Sequence, residues 1–421
     1  MLTLTQLQHN TAEVKTKLTL KNFANPNLVD EILKLDITRK QLQTENDNLL
    51  AIVNTASKQI GALLKTGPTL AETLKQDVAM HKATIQLLTQ QLQTTEAEIQ
   101  QLLVTLPNLP HHSVPAGFTA TDNITVKEIG TIPSLPANAK PHWELIKDYK
   151  LVDFETAAKL SGSGFALYSG NGAKLQRALV SYFLAANTAA GYTEYSTPYL
   201  VNTATAYGTG QLPDKEGQMY TIEADGLYLI PTSEVTLTNI YAHQIIPTTN
   251  LPLKLTAHSH CFRREAGSFG ADVRGLNRVH QFEKVEIVQL VPAADSYTVL
   301  EQMVAHVESL LLALELPYRI LRLCAGDMSF ASALTYDFEV YSAAQQKWLE
   351  VSSVSNFETY QTNRMKIRTK NADGKTELLH SLNGSALALP RIVAALLENN
   401  QTETEIKLPA ILHQYYGNSC I

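Results

Sequence analysis

Residues 28–105 carry an apolar repeat of seven residues, which restricts the fold more than any other feature of this chain. Two rows precede a Gly67-Pro68 break and two follow it: Leu28, Leu35, Leu42 and Leu49 beside Ile32, Val53 and Ile60, then Val78, Ile85, Leu92 and Ile99 beside Leu74, Leu88 and Leu102. Apolar residues at this spacing lie on one side of a helix and pack against a partner helix. The repeat therefore predicts two helices joined by a Gly-Pro turn, which is an antiparallel coiled-coil hairpin.

The heptads do not specify the function of this hairpin. A dimerisation element or a spacer would show the same repeat, and both remain open on the residues alone. Between residues 28 and 105 the chain has seven basic and nine acidic side chains. Any contact of the hairpin with a polyanion would therefore depend on a few lysines and would weaken as the salt concentration rises.

The composition is that of an ordinary globular protein. The chain has 421 residues, of which 44% are hydrophobic and 18% are charged. That length has room for two domains and a large core. The formal net charge of -6 means that a nucleic-acid site would have to be a local patch.

Several signals point to the cytoplasm. The cysteines are Cys261, Cys324 and Cys420, a small and odd number that does not suit a disulfide framework. No apolar run approaches membrane-spanning length, and the first residues, MLTLTQLQHNTAEVKTK, lack a signal-peptide core. We therefore expect a cytoplasmic protein without membrane contact.

A proline-rich segment separates the heptad region from the rest of the chain. It contains LPNLPHHSVPAG and IPSLPANAKP, which are typical of a linker. From His142 onward helical and strand patterns intermix, as in an α+β domain with an antiparallel sheet. We predict a helical domain at 1–106, a linker at 107–141 and an α+β domain at 142–421.

The segment from His260 to Glu286 has the pattern of two strands that are unusually rich in charge. Residues 266–270 and Gly275 are loop formers, so the unit is a predicted β-hairpin with a long connection. Side chains alternate between the two faces of a strand. One polar face of the first predicted strand therefore carries Cys261, Arg263 and Glu265. One polar face of the second carries Arg278, His280, Phe282, Lys284 and Glu286.

A solvated face of an antiparallel sheet would be the simpler explanation of these charges. Two observations favour a binding site instead. Arg263 and Glu265 lie two residues apart, and the bulky Phe282 stands among charged residues, as expected where a flat ligand is stacked. An arginine fork suits a phosphate, while a carboxylate suits an ammonium or an exocyclic amine.

These residues resemble motif 2 of the class II aminoacyl-tRNA synthetases. CFRREAGS followed by RGLNRVHQFEKVE is similar to the bacterial-type seryl-tRNA synthetases in particular, and the resemblance extends in order over nearly the whole chain. It implies an α+β fold with an N-terminal antiparallel coiled-coil arm and a catalytic domain built on an antiparallel sheet flanked by helices. It also implies a reaction in which ATP activates L-serine to seryl-adenylate, and serine is then transferred to the 3′ end of tRNA(Ser).

The resemblance assigns a serine pocket to residues from separate segments. Thr232 and Glu234, in the triplet Thr-Ser-Glu, match contacts to the ammonium region of serine, although a helix N-cap would also explain this triplet. Glu286 matches an acceptor for the hydroxyl or the ammonium of serine. The remaining positions of the predicted serine site are Arg263, Asn383 and Ser385.

The resemblance likewise assigns an ATP site. Arg263 matches a contact to the α-phosphate, Glu265 a contact to the adenine amine, and Arg391 a residue that packs on adenine opposite Phe282 and reaches the γ-phosphate. These three charged residues are the expected catalytic set. The predicted ATP contacts also include Val279, Glu350, Val351, Ser352 and Ser353. Of these, Glu350 and Ser353 match ligands of Mg²⁺, which prefers hard oxygen ligands and takes its others from the nucleotide and water.

Two further motifs concern assembly and local fit. Residues 172–202 resemble motif 1, a helix followed by a strand ending at Pro198, and by analogy imply a homodimer. Core packing alone would also explain that segment. Residues 382–399 resemble motif 3 but carry Ala386 and Pro390 where glycine is common. Proline is compatible with the first turn of a helix.

The implied partners are tRNA(Ser), gripped by the N-terminal arm, and L-serine. The sequence leaves open whether the tRNA for selenocysteine is also charged. A catalytically inactive paralogue and an amino-acid:carrier-protein ligase are the alternative functions. The retained charged residues argue against the first, and the presence of an arm argues against the second.

Overall fold

The computed structural model describes residues 1–64, 67–266 and 274–421. Lys65 of the predicted hairpin and residues 267–270 of the predicted motif 2 loop lie outside these ranges. The chain divides into two compact units. The arm unit comprises Met1–Thr19 and Phe23–Pro107, and the sheet unit comprises Leu20–Asn22 and Asn108–Ile421.

The helices and strands of the two units follow in chain order. The helices are α1 Leu4–His9, α2 Thr11–Leu20, α3 Leu28–Leu63, α4 Pro68–Thr105, α5 His142–Asp148, α6 Phe154–Ser161, α7 Gly170–Ala189, α8 Thr203–Thr209, α9 Glu234–Asn239, α10 Ser296–Ala313, α11 Tyr360–Met365, α12 Leu389–Asn399 and α13 Ala410–Tyr416. The strands are β1 Ile124–Ile129, β2 Thr193–Glu194, β3 Leu200–Asn202, β4 Thr221–Ile222, β5 Leu227–Leu229, β6 Ile245–Ile246, β7 Leu253–Phe262, β8 Gln281–Val291, β9 Tyr318–Arg322, β10 Leu334–Ser342, β11 Lys347–Asn356, β12 Arg368–Lys370, β13 Thr376–Leu378 and β14 His380–Ala388.

In the arm unit, α3 and α4 pack along each other, which confirms the predicted coiled-coil hairpin. Pro68 occupies the first turn of α4, where its missing N–H is not needed. An apolar cluster of Val53, Ala56 and Val78 lies between the two helices. Asn46, in a heptad row, is also buried, and a polar group at such a place restricts the register of two helices at a cost in stability.

The core of the sheet unit is an eight-stranded sheet with the order β1-β9-β10-β11-β14-β8-β7-β2. Its strand pairs are antiparallel except for the edge pair of β2 with β7, which is parallel. Two small sheets accompany it, β13-β12-β6 and β3-β5-β4. The predicted α+β class with an antiparallel sheet is therefore confirmed.

The two faces of the large sheet differ because side chains alternate along each strand. On β8, Val285 and Ile287 point into an apolar core. Helices α7, α10 and α12 cover that face. Phe282 and Lys284, on the opposite face of the same strand, face a cavity. The sheet thus buries its apolar face under helices and presents its polar face to a cavity.

Two predicted segments have a different secondary structure from the one expected. Residues 107–141, predicted as a linker, include β1, which pairs with β9 at the sheet edge. The predicted strand ending at Pro198 is reduced to Thr193–Glu194, while α7 before it is regular. Pro390 lies in the first turn of α12, as expected. In the described part of the chain, no helix combines the length and the apolar character needed to cross a membrane.

Candidate active site

A cavity of about 650 Å³ lies on the polar face of the large sheet. Residues predicted to bind ATP or serine converge on its wall from segments distant in sequence. They are Thr232, Glu234, Arg263, Glu265, Val279, Phe282, Glu350, Val351, Ser352, Ser353, Asn383, Ser385 and Arg391. The remaining predicted residue, Glu286, is completely buried next to this wall.

The predicted hairpin exists, but its strands are shorter than the charge pattern indicated. Strand β7 ends at Phe262 and β8 begins at Gln281, so that Cys261 lies opposite Phe282. Arg263 and Glu265 therefore lie beyond the first strand and not on its face. Glu265 has a φ of 49°, a left-handed conformation that takes the chain out of the strand. Alternation of charge could not reveal this turn.

Glu286 forms the floor of the predicted serine pocket. Its carboxylate accepts hydrogen bonds from Thr232 Oγ1 at 3.3 Å and from Asn383 Nδ2 at 3.1 Å, and it forms an ion pair with Lys284. Burial raises the pKa of Glu286, while the charge of Lys284 opposes this effect. The pocket floor thus offers an acceptor that is held in place from three directions.

A second carboxylate, Glu234, lies at the start of α9 with 7% exposure. Gln361 Nε2 donates a hydrogen bond to Glu234 Oε1 at 2.6 Å. Burial, and next the negative charge of Glu286, raise the pKa of Glu234 to about 7. The backbone N–H of Glu234 donates to Thr232 Oγ1 at 3.2 Å. Thr232 therefore links the carboxylate of Glu286 to the backbone of Glu234.

Strand β14 supplies the other wall of this pocket. Ser385 lies directly opposite Glu286 across the β14–β8 pair, and Asn383 lies opposite Val288. The hydroxyl of Ser352 donates to the carbonyl of Ser385 at 2.6 Å. Ser352 thus fastens β14 to the neighbouring strand through its side chain.

Arginines surround the other end of the cavity. The guanidinium carbon of Arg263 lies 5.3 Å from the centroid of the Phe282 ring, within the range of a cation–π contact. Arg391, which is predicted to pack on adenine opposite that ring, donates from Nη1 to the carbonyl of Glu350 at 2.6 Å and from Nε to the carbonyl of Asn277 at 3.0 Å.

The predicted adenine-reading carboxylate is also engaged within the chain. Glu265 Oε2 accepts a hydrogen bond from Arg278 Nη1 at 2.7 Å. Both residues belong to the cavity wall. A ligand that contacts Glu265 has to compete with Arg278 for this carboxylate.

Oxygen groups on β10 and β11 have the chemistry of a Mg²⁺ site. Ser353 Oγ lies 3.4 Å from Glu350 Oε1, and Asp337 lies opposite Ser353 in the strand pair. Asp337 Oδ1 is buried and has no hydrogen-bond partner among the described residues. Burial, and next the charge of Glu350, raise the pKa of Asp337 well above its ordinary value. A cation next to these carboxylates would offset both the burial of Asp337 and its repulsion with Glu350. The residues present therefore fit Mg²⁺.

Three residues of this site have no role predicted from the sequence: Lys284, Asp337 and Gln361. Asp337 alternates with Thr335 on the cavity side of β10, a period-two signal that could have indicated it. Gln361 lies in α11, and its contact with Glu234 spans 127 residues. Only the tertiary structure brings that pair together.

Comparisons with known proteins agree with this arrangement. The family of the seryl-tRNA synthetase N-terminal domain matches residues 1–110, and the tRNA synthetase class II core domain (G, H, P, S and T) matches residues 220–400. The serine–tRNA ligase of Salinibacter ruber is 47% identical over 420 residues, which cover 99% of this chain and 98% of that protein. The serine–tRNA ligase of Methylacidiphilum infernorum is 45% identical over 418 residues, which cover 99% of each chain.

Solved structures show the same relationship. Seryl-tRNA synthetase from Pyrococcus horikoshii, complexed with ATP, matches with a TM-score of 0.94 at 32% identity, covering 100% of this chain and 99% of that one. A prolyl-tRNA synthetase from Giardia lamblia matches with a TM-score of 0.57 at 16% identity over 66% of this chain, which shows a shared fold alone. From its two matched domains and its full-length relatives, this chain belongs to the seryl-tRNA synthetase family.

Proposed function

We propose that this chain is a serine–tRNA ligase, which activates L-serine with ATP and transfers it to the 3′ end of tRNA(Ser). One observation carries the proposal: a single cavity joins the buried carboxylate of Glu234 to the guanidinium of Arg263, and the buried carboxylate of Glu286 lies next to its wall. The carboxylates suit the ammonium and hydroxyl of serine, and the arginine suits a phosphate. Nothing in the described residues favours an inactive paralogue or a carrier-protein ligase.

The activation step needs no proton transfer. A carboxylate oxygen of serine attacks the α-phosphorus of ATP, a new P–O bond forms, and the bond to the pyrophosphate oxygen breaks. Catalysis therefore consists of positioning the two substrates and stabilising charge on the α-phosphoryl group. Arg263, next to the serine pocket, supplies that charge stabilisation.

Nucleotide binding replaces side-chain contacts within the cavity by contacts to ATP. Adenine packs on Phe282, so the guanidinium of Arg263 leaves the ring for the α-phosphate and Arg391 covers the other side of the base. Glu265 exchanges Arg278 for the adenine amine. The partners present in the structure keep these charged groups ordered at the cavity before ATP arrives.

Glu350 and Ser353 would hold Mg²⁺, with Asp337 as a neighbouring carboxylate. When bound, Mg²⁺ supplies charge neutralisation for the phosphates of ATP and of the leaving pyrophosphate. Arg391 donates to the carbonyl of Glu350. This contact orients the Glu350 segment toward the phosphate end of the cavity.

The second half-reaction needs tRNA, and we assign its binding to residues 1–106, which include the coiled-coil arm. The terminal ribose hydroxyl of tRNA attacks the carbonyl of seryl-adenylate, an ester forms and AMP leaves. We further propose a homodimer through α7 and the segment after it, and residues 142–421 as the catalytic domain. The three cysteines are free thiols, which supports a cytoplasmic location.

Serine-dependent exchange of pyrophosphate into ATP tests this function. We expect exchange with serine in the absence of tRNA, and none above background with alanine, because buried acceptors would lack a hydroxyl partner. Charging of tRNA(Ser) but not of a carrier protein should follow. Arg263→Ala serves as the negative control, with a loss of at least ~100-fold in exchange rate. Exchange with another amino acid and not with serine would refute the proposal.

A further inference from the structure

Lys284 and Glu286 form a buried ion pair at the floor of the serine pocket. Their side chains are 6% and 0% exposed and bond directly. The two residues are separated by one position on β8, so both point to the cavity side of the sheet. Lys284 forms part of the cavity wall, while Glu286 lies behind it. The lysine is therefore the cation nearest to the carboxylate expected to meet serine.

The titratable and charged neighbours of Glu286 come from several elements packed around it. Glu234 lies at the start of α9, Cys261 on β7, Arg263 just after β7 and Lys284 on β8 itself. Strand β14 contributes only the uncharged Asn383 and Ser385. Two carboxylates thus share one pocket, and only Lys284 among the cations bonds directly to Glu286 in the described residues.

Two buried carboxylates that share one pocket compete for a proton. Burial raises the pKa of Glu286, and the charge and hydrogen bond of Lys284 are the largest influences that lower it. The charge of Glu286 in turn raises the pKa of Glu234. When a cation is removed from such a pair, the remaining carboxylate is left uncompensated and takes up a proton.

We propose that Lys284 is a positioning residue of the serine pocket: it keeps Glu286 ionised and fixed, so that Glu286 accepts a hydrogen bond from the incoming serine. This inference rests on the proposed function of the cavity. It assigns to Lys284 a role in amino-acid affinity that is separate from the nucleotide end of the site. Lys284 acts through Glu286 and not on ATP.

The role predicts a specific link between serine affinity and pH. In Lys284→Met the side chain keeps its length but loses its charge, so Glu286 is protonated near neutral pH. Binding of the serine ammonium then requires release of that proton. The KM for serine should therefore fall by up to roughly tenfold per pH unit as pH rises below the new pKa. In the wild type the KM should vary with pH through Glu234, whose pKa is about 7, and should level off above that pH.

Pyrophosphate exchange between pH 6 and 9 tests the proposal. At pH 7, Lys284→Met should raise the KM for serine at least ~10-fold and leave the KM for ATP within ~2-fold. Lys284→Arg retains the charge and should keep the wild-type pH profile. Lys254→Met is a matched control, since Lys254 is on the adjacent strand β7 with its ammonium over Tyr192. An unchanged serine KM and pH profile in Lys284→Met would overturn the proposal, as would tighter serine binding.

A double mutant shows whether Lys284 acts through Glu286. Glu286→Gln removes the titrating group, so adding Lys284→Met to it should change the serine KM by no more than ~2-fold. In the double mutant neither of the two positions carries a charge, so no buried charge is left unpaired there. The double mutant therefore still tests the proposal if Lys284→Met alone does not fold. A further loss above ~5-fold would mean that Lys284 touches serine itself and would overturn the positioning role. Absence of serine-dependent exchange in the wild type would refute the proposed function instead.

Discussion

At the scale of single residues, burial of the Glu234 carboxylate in the predicted serine pocket carries an electrostatic cost. This carboxylate is 7% exposed and bonds Gln361, and burial followed by the charge of Glu286 raises its pKa to about 7. In the unfolded chain a glutamate titrates near its ordinary value of about 4.5. Between these two pH values the folded chain holds more protons than the unfolded chain, so its free energy of unfolding falls as pH rises.

Glu234→Gln should remove this pH dependence. Glutamine keeps the carbonyl acceptor for Gln361 and resembles the protonated acid. The variant should match the wild type near pH 4.5 and exceed its free energy of unfolding by up to about 3 kcal/mol above pH 7. Its serine KM should rise, since the ammonium loses an anionic partner. Thermal unfolding at pH 5 and pH 8 measures the effect, with the exposed Glu403→Gln as control. Equal Tm differences at both pH values would contradict the explanation.

At the scale of elements, α5 and α12 hold the Leu276–Asn277 segment, which leads into β8. Glu398 of α12 is completely buried and accepts hydrogen bonds from the backbone N–H of His142 at 2.8 Å and from its ring Nδ1 at 2.7 Å. The other ring nitrogen of His142 accepts from the N–H of Leu276 at 2.9 Å. The carbonyl of the following residue, Asn277, accepts a hydrogen bond from Arg391. A buried imidazole thus connects two helices to a predicted catalytic arginine.

Burial opposes ionisation of Glu398, but the hydrogen bonds from His142 and Ser342 lower its pKa below the ordinary value. Its stabilising contribution is therefore present above the unfolded pKa and is lost as pH falls through the folded one. The connection between α5 and α12 should weaken in acid. This direction is opposite to that of Glu234.

His142→Ala should damage both stability and activity. It removes the ring hydrogen bond to the buried carboxylate of Glu398, which costs about 1 to 3 kcal/mol. It also frees the Leu276–Asn277 segment, so Arg391 is held less well and pyrophosphate exchange should slow. Chemical denaturation and exchange assays measure the two effects. Glu144→Ala, an exposed change on the same helix, should stay within about 0.5 kcal/mol of the wild type. A His142→Ala variant as stable as this control would refute the role of the pair.

At the scale of the whole molecule, activation and tRNA binding are expected to reside in different parts of the chain. The residues predicted to bind ATP and serine belong to the sheet unit, while α3 and α4 belong to the arm unit. The arm carries seven basic and nine acidic side chains from residue 28 to residue 105. The proposed binding of tRNA by the arm therefore has to depend on shape and on a few lysines.

Deletion of the arm should separate the two half-reactions. Replacing residues 28–103 with a short linker keeps Leu20–Asn22, which belong to the sheet unit, and removes the self-paired helices. We expect pyrophosphate exchange to stay near the wild-type rate and tRNA charging to fall by at least ~100-fold at 0.15 M salt. Charging by the intact chain should weaken further as salt rises. Unchanged charging by the deletion variant would mean that the arm is a spacer or an assembly element.

The sequence by itself determined the features that depend on local periodicity. Heptads in residues 28–105 specify α3 and α4 because a helix places every third or fourth residue on one side. Alternation along residues 278–286 places Phe282, Lys284 and Glu286 on one polar face of a strand. The resemblance of the motif 2 residues then indicated which polar face carries the chemistry. These signals lie within short stretches of chain, so a single sequence contains them.

The tertiary structure alone decided which side chains meet. Lys284 with Glu286 could be suspected from their spacing, but Gln361 with Glu234 and Asn383 with Glu286 are joined only by strand order and helix packing. The pairing of Glu265 with Arg278 follows from a left-handed turn that no periodicity encodes. Strand β1, in the predicted linker, is specified by its partner β9. Contacts between distant residues set the charge states of the pocket, because burial and neighbouring charges, unlike helix or strand period, are properties of the folded chain.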